Sequence, residues 1–572
     1  MIKLGLSAFY HDSAACLMIN GEVIAAVEEE RFTEIKHDNS FPYNSIKWVL
    51  SHTRIKINDI DEVHWYENPE TKDNRVKTIF NKRPIKTFFL RRRYNKDRKT
   101  NSPETLLKNL GYTGKIIYHD HHYSHAAFSY YTSPYRDAAI LTVDGVGEWE
   151  TTTISIGTGK KIKKLISIDY PNSLGMLYST ITSYLGFRPN EGEYKVMGLA
   201  PYGDPSVYLE KLEKVFTNTS NKYLINQKYF TWEYSDKIMF NNRLCRLLEL
   251  PPRLPEEPLT QDHKNLAASL QKLYEQQFLK LVKTAKNITK SENLCIGGGC
   301  AYNGVANTLA YKHFKSVYIP FAPSDSGSAI GACLDTHTKV RPYLGPSFSN
   351  NQIRKELQNY KNKLIYFNLS EEKLITKVGG LLQGQNIVAW FQDKMEFGAR
   401  ALGNRSILAS AKNAKMREKL NYVIKKREGF RPFAPSVLEE QKDWFGVVET
   451  SPFMNLISYI RGVGRQGHVV PFPAATHINR TARVQTVNKS QNTKFYKLLT
   501  EVKRREGVGV LLNTSYNLKD QTITMTPKQA IDRYLSSDID FLVINNFLIK
   551  KHNDKRQDQK ENRRMAKEKR VR

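Results

Sequence analysis

Two stretches of this chain, roughly 130 residues apart, carry the same order of local signals, and that repetition constrains the fold more than any other feature. In the first, Ile2 to Ala8 predicts a short apolar strand and Ser13 to Ile19 a second, with the polar turn Tyr10-His11-Asp12-Ser13 between them. Asn20-Gly21 predicts a two-residue hairpin, because a type I′ turn needs positive φ at both central positions. Glu22 to Glu29 is the returning strand. In the second stretch, Ala138 to Val143 runs into Asp144-Gly145-Val146-Gly147 and Thr151 to Ile156 is β-rich. Gly157-Thr158-Gly159 reads as a turn and Ile162 to Ile168 returns. The stretches share a pattern and not a sequence.

Duplicated units of this kind, joined by helices, build the actin, sugar-kinase and heat-shock-chaperone class of α/β folds. There, two acidic-glycine turns face one another across a phosphate-binding cleft. A third strand, Leu294 to Gly299, ends in glycines before an expected helix, Ala301 to Leu309. Glycines at such a junction let backbone N–H groups approach a nucleotide or phosphate. Ser324-Asp325-Ser326-Gly327-Ser328 precedes another expected helix, Ala329 to Leu334. From Arg341 to Asn362 the chain is rich in Pro, Ser and Asn and loses periodicity, which predicts a domain boundary. A second α/β unit follows, with strands at Asn386 to Trp390, Gly509 to Leu512 and Phe541 to Ile544, and helices at Ala414 to Val423 and Pro527 to Leu535. The 572 residues have room for two to four domains at roughly 150 residues each. No Walker A motif occurs, which excludes a P-loop NTPase.

Charge is distributed unevenly. Lys and Arg number 87 against 57 Asp and Glu, a net charge of +30. Arg75 to Lys99 holds eleven basic residues and one acid, and Lys551 to Arg572 holds ten and four. The second segment lacks the apolar residues to fold and is expected to be a disordered tail. The first is interleaved with Phe80, Phe88, Phe89, Leu90 and Tyr94, as in an exposed helix or loop; either segment reads as solvated surface or as a contact for nucleic acid or another polyanion. The five cysteines include no C-x-x-C pair, so neither a disulfide framework nor a thiolate zinc site is expected. With no leader before Leu4 and no apolar run of 18 residues, the expectation is a soluble protein of a reducing cytoplasm without a membrane span.

Two constellations can do chemistry. His121 and His125 stand at i and i+4 of an expected helix, so both can ligate one metal ion, and Asp144 and Asp325 can complete a set of two nitrogens and two oxygens. Such a set suits iron, manganese or zinc; the alternative is a partly buried polar helix. Isolated arginines recur in Gly398-Ala399-Arg400-Ala401-Leu402, Lys425-Lys426-Arg427, Gly429-Phe430-Arg431-Pro432 and Thr481-Ala482-Arg483, with Asn513-Thr514-Ser515 beyond. Arginine in such company pairs with a carboxylate or grips a phosphate through its planar fork.

Together these motifs resemble the O-carbamoyltransferases of nodulation-factor and antibiotic biosynthesis. The resemblance is carried by Phe9 to Ala15, Glu28 to Phe32 with Lys36-His37, His121 to Ala126, Glu193 to Gly203, Gly297 to Asn303 and the arginine motifs. They occur in family order over roughly residues 1 to 550. The resemblance implies a metal- and nucleotide-binding carbamoyl-transfer domain over residues 1–345 and a YrdC-like α/β domain over 363–550, followed by the basic tail, 551–572. In the C-terminal domain, carbamoyl phosphate is cleaved and its carbamate condenses with ATP, accompanied by Mg2+, to give carbamoyladenylate. In the N-terminal domain the carbamoyl group passes to an acceptor hydroxyl. Carried over by motif, His121, His125, Asp144 and Asp325 hold a divalent metal, Fe2+ first, with Mn2+ or Zn2+ as alternatives. Asp144, Gly299 and Asn303 contact nucleotide, and Arg400, Arg431, Arg483, Asn513 and Ser515 line the carbamoyl phosphate site. His11, Asp12 and Lys36 lie near the transferred group, His11 or Asp12 as the base.

Two positions depart from the family pattern. Ala399 replaces a proline before Arg400, and Arg480 stands where a small or acidic residue is usual, adding charge near the anion site. The acceptor remains open between a small molecule, a glycan and a nucleoside, with nucleic acid as the alternative that the basic segments raise. A homodimer is a further expectation.

Overall fold

The computed structural model describes residues 1–218, 222–235, 237–460 and 472–552, without the side chains of 97–100 and 218. The basic tail lies outside the described residues from 553 onward.

The repeated pattern becomes two sheets of one topology. Strands β1 (Ile2–Ser7), β2 (Ala14–Ile19), β3 (Glu22–Glu28), β4 (Glu62–Trp65) and β5 (Lys115–Tyr118) form the first, in the order β3-β2-β1-β4-β5. The second uses β6 (Asp137–Val143), β7 (Glu150–Thr158) and β8 (Lys161–Asp169). After a small hairpin, β9 (Phe216–Asn218) and β10 (Tyr223–Ile225), it adds β11 (Asn293–Gly297) and β12 (Ser316–Tyr318). Its order is β8-β7-β6-β11-β12. In each sheet the first three strands run antiparallel in succession, and the last two run parallel to the first. The expected hairpin closes β2 on β3 with φ of 50° at Asn20 and 86° at Gly21. The duplicated unit of the expected class is therefore present in strand order and direction.

The helix Asp325–Gly331 lies against the first sheet and against the helix His121–Tyr131. Both approaches depend on missing side chains. A Cβ at Gly5 would stand 1.9 Å from the Ala329 carbonyl oxygen, and one at Gly331 would stand 2.0 Å from that of Ser124. Backbone cannot yield at such distances, so Gly5 sets how closely the helix Asp325–Gly331 lies on the first sheet, and Gly331 how closely it lies on the helix His121–Tyr131.

A third, eight-stranded sheet forms the C-terminal body. Its strands are β13 (Leu364–Asn368), β14 (Val388–Phe391), β15 (Arg405–Ser410), β16 (Ala434–Leu438), β19 (Gln485–Val487), β20 (Val510–Ser515), β21 (Phe541–Ile544) and β22 (Phe547–Lys551). A two-stranded ribbon, β17 (Ser458–Tyr459) with β18 (Thr481–Ala482), stands beside it. The order β13-β22-β21-β14-β15-β20-β16-β19 mixes parallel and antiparallel pairs. Alternation along β14 shows both faces covered. Val388 and Trp390 pack with Leu374, Val378 and Leu498 from two helices, while Ala389 and Phe391 join Ile353, Leu420 and Ile531 on the other side.

Several expected boundaries move. β7 continues through Gly157 and Thr158, because both pair with β8, and the turn falls at Gly159-Lys160. The helix expected at Ala301 is interrupted: a 3₁₀ turn, Gly299–Tyr302, ends at Asn303, whose side chain caps a separate helix, Gly304–Leu309. The helix expected at Ala329 starts four residues earlier, at Asp325. The segment 341–362 contains the helix Asn350–Gln358, closed by a Ser349/Gln352 capping box, with Ile353 and Leu357 fully buried. The helix from Ala414 ends at Glu418 and widens into a π-helical turn, Lys419–Ile424. No helix among the described residues is long and apolar enough to cross a membrane.

Candidate functional site

The helix His121–Tyr131 begins without a side-chain cap from Asp120. Glu148, in the loop after β6, takes that place. Its two carboxylate oxygens accept from the His121 N–H at 3.0 and 3.1 Å. An acid there satisfies exposed N–H groups and opposes the helix dipole, so one loop both supplies Asp144 and anchors the histidines.

His121 and His125 face inward one turn apart, with their Nε2 atoms separated by 3.0 Å. Asp144 Oδ2 lies 2.9 Å from His121 Nε2 and 3.5 Å from His125 Nε2. Asp325 Oδ1 lies 3.6 and 3.3 Å from the same nitrogens. One ligand atom from each of the four residues falls within 4.8 Å of every other, and all four residues are buried. Ser328 fixes His125 by a 3.0 Å contact to Nδ1, and the Gly299 N–H donates to Asp144 Oδ1 at 2.9 Å. Neither Asp325 oxygen has a hydrogen-bond partner, a costly state for a buried carboxylate. Two imidazole nitrogens and two carboxylate oxygens fit a divalent cation of borderline softness, and such an ion would satisfy those oxygens. Burial opposes charge on His125, but the Asp144 and Asp325 carboxylates beside it prevail and hold its pKa up to about 9.

His11, Asp12 and Lys36 gather in front of this cluster. His11 Nε2 is 3.7 Å from Asp325 Oδ2, and its Nδ1 is 3.0 Å from Asp12 Oδ2. The other oxygen of Asp12 meets His37 Nδ1 at 2.6 Å. Lys36 Nζ donates to Glu191 at 2.8 Å. Burial opposes charge on His37, but Asp12 outweighs it and raises the His37 pKa. A group whose pKa rises on folding stabilises fully below its unfolded value, near 6.5, and loses that contribution as pH climbs through the folded value. The stability gap between the parent chain and His37→Asn should therefore be widest below the ordinary histidine range, about pH 6, and shrink as pH rises above it. Urea unfolding across that range measures it, and a gap that widened with pH would contradict the pairing.

A cavity of about 690 Å³ is lined by the N-terminal sheets' loops and by the C-terminal body. His11, Asp12, Lys36, Asp144, Gly299 and Asn303 line it from the first side. Arg400, Arg431, Arg483, Asn513 and Ser515 line it from the second. His121, His125 and Asp325 stand behind its wall. The Gly299 N–H, expected to be available for nucleotide, is already committed to Asp144. Gly298 adopts a φ of 88° that carries this loop over the end of β6, where a Cβ would lie 2.2 Å from the Val143 oxygen. Asn303 exchanges hydrogen bonds of 3.1 and 3.2 Å with Gln271.

The arginine end is a positive cluster. Burial and the guanidiniums of Arg400, Arg427 and Arg431 drive Arg483 well below its ordinary pKa. Burial, reinforced by Arg431, brings Arg427 down to about 9. Arg400 leans over Tyr302 at 5.1 Å and Arg431 over Tyr194 at 4.7 Å. Such a group is relieved by an anion that neutralises several charges together. Asn513 Nδ2 donates to Ser436, Gln485 and Ala401, while its buried Oδ1 has no partner. Ser515 Oγ donates to Asn517 at 2.7 Å. Arg480 does not join them: it is exposed in a turn with φ 63° and does not line the cavity.

One contributor was absent from the sequence reading, and two were quoted there only as part of an arginine motif. Glu148 lay one residue beyond the quoted turn. Arg427 and Lys425 were noticed without a role, yet both line the cavity, and Lys425 Nζ is held by Ser515 O, Asn517 O and Asn517 Oδ1 at 2.6 to 2.8 Å.

Comparison with known proteins supplies an independent view. The family model described as carbamoyltransferase N-terminus matches residues 2–334, and that described as carbamoyltransferase C-terminus matches 379–551. The chain is 38% identical to protein sll1178 of Synechocystis, over 97% of this chain and 98% of the relative. It is 33% identical to nodulation protein NolNO of Sinorhizobium fredii, over 95% and 80%. It is 31% identical to the 3'-hydroxymethylcephem-O-carbamoyltransferase of Amycolatopsis lactamdurans, over 57% and 59%. Among solved structures, component A of the Acidaminococcus fermentans (R)-2-hydroxyglutaryl-CoA dehydratase aligns with 59% of this chain and 98% of its own, at 11% identity and a TM-score of 0.32.

Proposed function

The chain belongs to the carbamoyltransferase family and is a transferase, and on that premise we propose that it uses carbamoyl phosphate and ATP to carbamoylate an acceptor hydroxyl. The observation that carries the reading is the shared cavity. One chamber is lined by the arginine cluster and by the residues around Asp144, so an activated carbamoyl group can pass between them without entering bulk water.

In this reading the C-terminal body, residues 363–550 with a YrdC-like role, performs activation. Arg400, Arg431 and Arg483 grip the phosphate of carbamoyl phosphate and stabilise it as it leaves. The buried Oδ1 of Asn513 is an acceptor suited to the carbamoyl NH2, and it favours that group over an acyl group lacking the donor. Water converts carbamoyl phosphate to carbamate and phosphate. A carbamate oxygen then attacks the α-phosphorus of ATP, forming carbamoyladenylate and releasing pyrophosphate. Ser515 lines the same site, and Mg2+ accompanies ATP.

The N-terminal body, residues 1–345, performs transfer. Asp144, Gly299 and Asn303 flank the nucleotide, with the glycine loop allowing close approach of its backbone. His121, His125, Asp144 and Asp325 would hold a divalent metal, with iron the first choice, which supplies Lewis acidity when bound. Asp12, oriented by His11 and His37, accepts the acceptor hydroxyl's proton, and Lys36 lies beside the group being transferred. The acceptor oxygen bonds to the carbamoyl carbon and AMP departs.

The test is stoichiometric. Incubated with ATP and carbamoyl phosphate, the chain should release phosphate and pyrophosphate in equal amounts and form carbamoyladenylate detectable by mass spectrometry. Pyrophosphate release that ignores carbamoyl phosphate would refute the activation step.

A further inference from the structure

The arm that holds the first basic segment presents a surface none of this chemistry uses. It consists of the helix Pro69–Lys82 and the helix Pro84–Thr100. The inner face of the second helix packs on the first, and the start of the second helix is tied to Glu233 and Tyr234 of the body. Thr87 is fully buried, with Oγ1 donating to Arg83 O at 2.8 Å, and Tyr94 meets Phe80 ring to ring at 6.0 Å. Arg83 binds Glu233 at 2.9 Å, and Lys86 sits over Tyr234 at 4.5 Å.

The outer face carries the opposite chemistry. Ile85, Phe88 and Phe89 are 92%, 58% and 81% exposed, and their spacing of three and four residues places them on one stripe. Arg92 continues that stripe one turn further on. Arg91 flanks it, and both arginines are exposed. Three large apolar side chains in water on one short stripe are not what a solvated surface requires.

We propose that this face docks on an anionic lipid surface, with Ile85, Phe88 and Phe89 entering the boundary between headgroups and acyl chains. The cations then lie at headgroup level, where anionic lipid adds about 1 kcal/mol per Lys or Arg and long side chains can keep their charge in the wet layer. A nucleic-acid contact would use the same cations and stack bases on the phenylalanines, but would leave Ile85, the most exposed of the three, without a partner. The charge complementarity and the apolar stripe together favour lipid.

The experiment is co-sedimentation of the full-length chain with vesicles of phosphatidylcholine alone and of equal parts phosphatidylcholine and phosphatidylglycerol. Three forms are compared with the parent: Phe88→Ser with Phe89→Ser, Arg91→Gln with Arg92→Gln, and a chain ending at His552. The parent and the shortened chain should bind anionic vesicles and not neutral ones. The arginine pair should weaken binding by roughly thirty-fold, and the phenylalanine pair by at least tenfold. Carbamoyl-phosphate-dependent pyrophosphate release should be unchanged in all three, which shows that they fold. The proposal is overturned if the parent ignores anionic vesicles, or if binding vanishes only with the tail. It is also overturned if the phenylalanine pair has no effect, or if the arm's arginines retain single-stranded RNA but not lipid.

Discussion

Arg483→Ala should reduce carbamoyl-phosphate-dependent pyrophosphate release by roughly 10²- to 10³-fold, the scale on which a preorganised donor to a developing anion is lost. Arg483 is the group most dependent on an anion, because burial and three neighbouring guanidiniums depress its pKa and a ligand restores the balance. Removing it relieves repulsion in the empty pocket, so the variant should be no less stable than the parent, and only turnover should fall. Arg483→Lys should recover little, since an ammonium cannot reproduce the planar fork. Steady-state assays with thermal unfolding alongside measure both quantities. A variant that kept full pyrophosphate release would remove Arg483 from the activation site.

His125→Ala and Asp325→Asn should separate the two half-reactions. On the proposed metal site each removes one ligand, so the metal bound by the parent chain should fall to a small fraction in the variants. Transfer of radiolabelled carbamoyl groups into an acceptor-bearing cell extract should fall by roughly three orders of magnitude, the equivalent of several kcal/mol of Lewis-acid assistance. Pyrophosphate release should stay within a few-fold, because these residues stand behind the cavity wall, apart from the arginines. Elemental analysis and the two assays decide the matter. Unchanged transfer with the metal gone would refute the proposed role of the cluster.

The parts of the fold legible in the sequence are those fixed by neighbours along the chain. Pro527–Leu535 forms where Thr526 and Gln529 close a capping box around a proline at the first turn. Phe541–Ile544 forms as expected because four apolar residues follow a turn and pair on both sides within the third sheet. The helix Asn350–Gln358 escaped notice although Ser349, Gln352, Ile353 and Leu357 carried its signals, because a Pro- and Asn-rich setting masked them. Gly327, within the helix that begins at Asp325, lies where a Cβ would stand 1.9 Å from the Ala322 oxygen and 2.7 Å from the Phe128 ring, an approach to Phe128 made only in the folded chain.

By itself the sequence determined the duplicated strand pattern, the i and i+4 histidines, and the isolated arginines in apolar company, because hydrogen-bonded turns and helical periodicity act over a few residues. The sequence offered Asp144 and Asp325 as carboxylates for those histidines, and only the tertiary structure decided that all four meet. Asp144 and Asp325 are 181 residues apart in number (325 minus 144) and reach one point because two glycines let a helix lie against its neighbours. Tertiary structure also divided the charge. The pocket arginines crowd one another in a buried site, whereas Arg91 and Arg92 on the arm remain in water beside exposed phenylalanines, a difference of surroundings that composition cannot express.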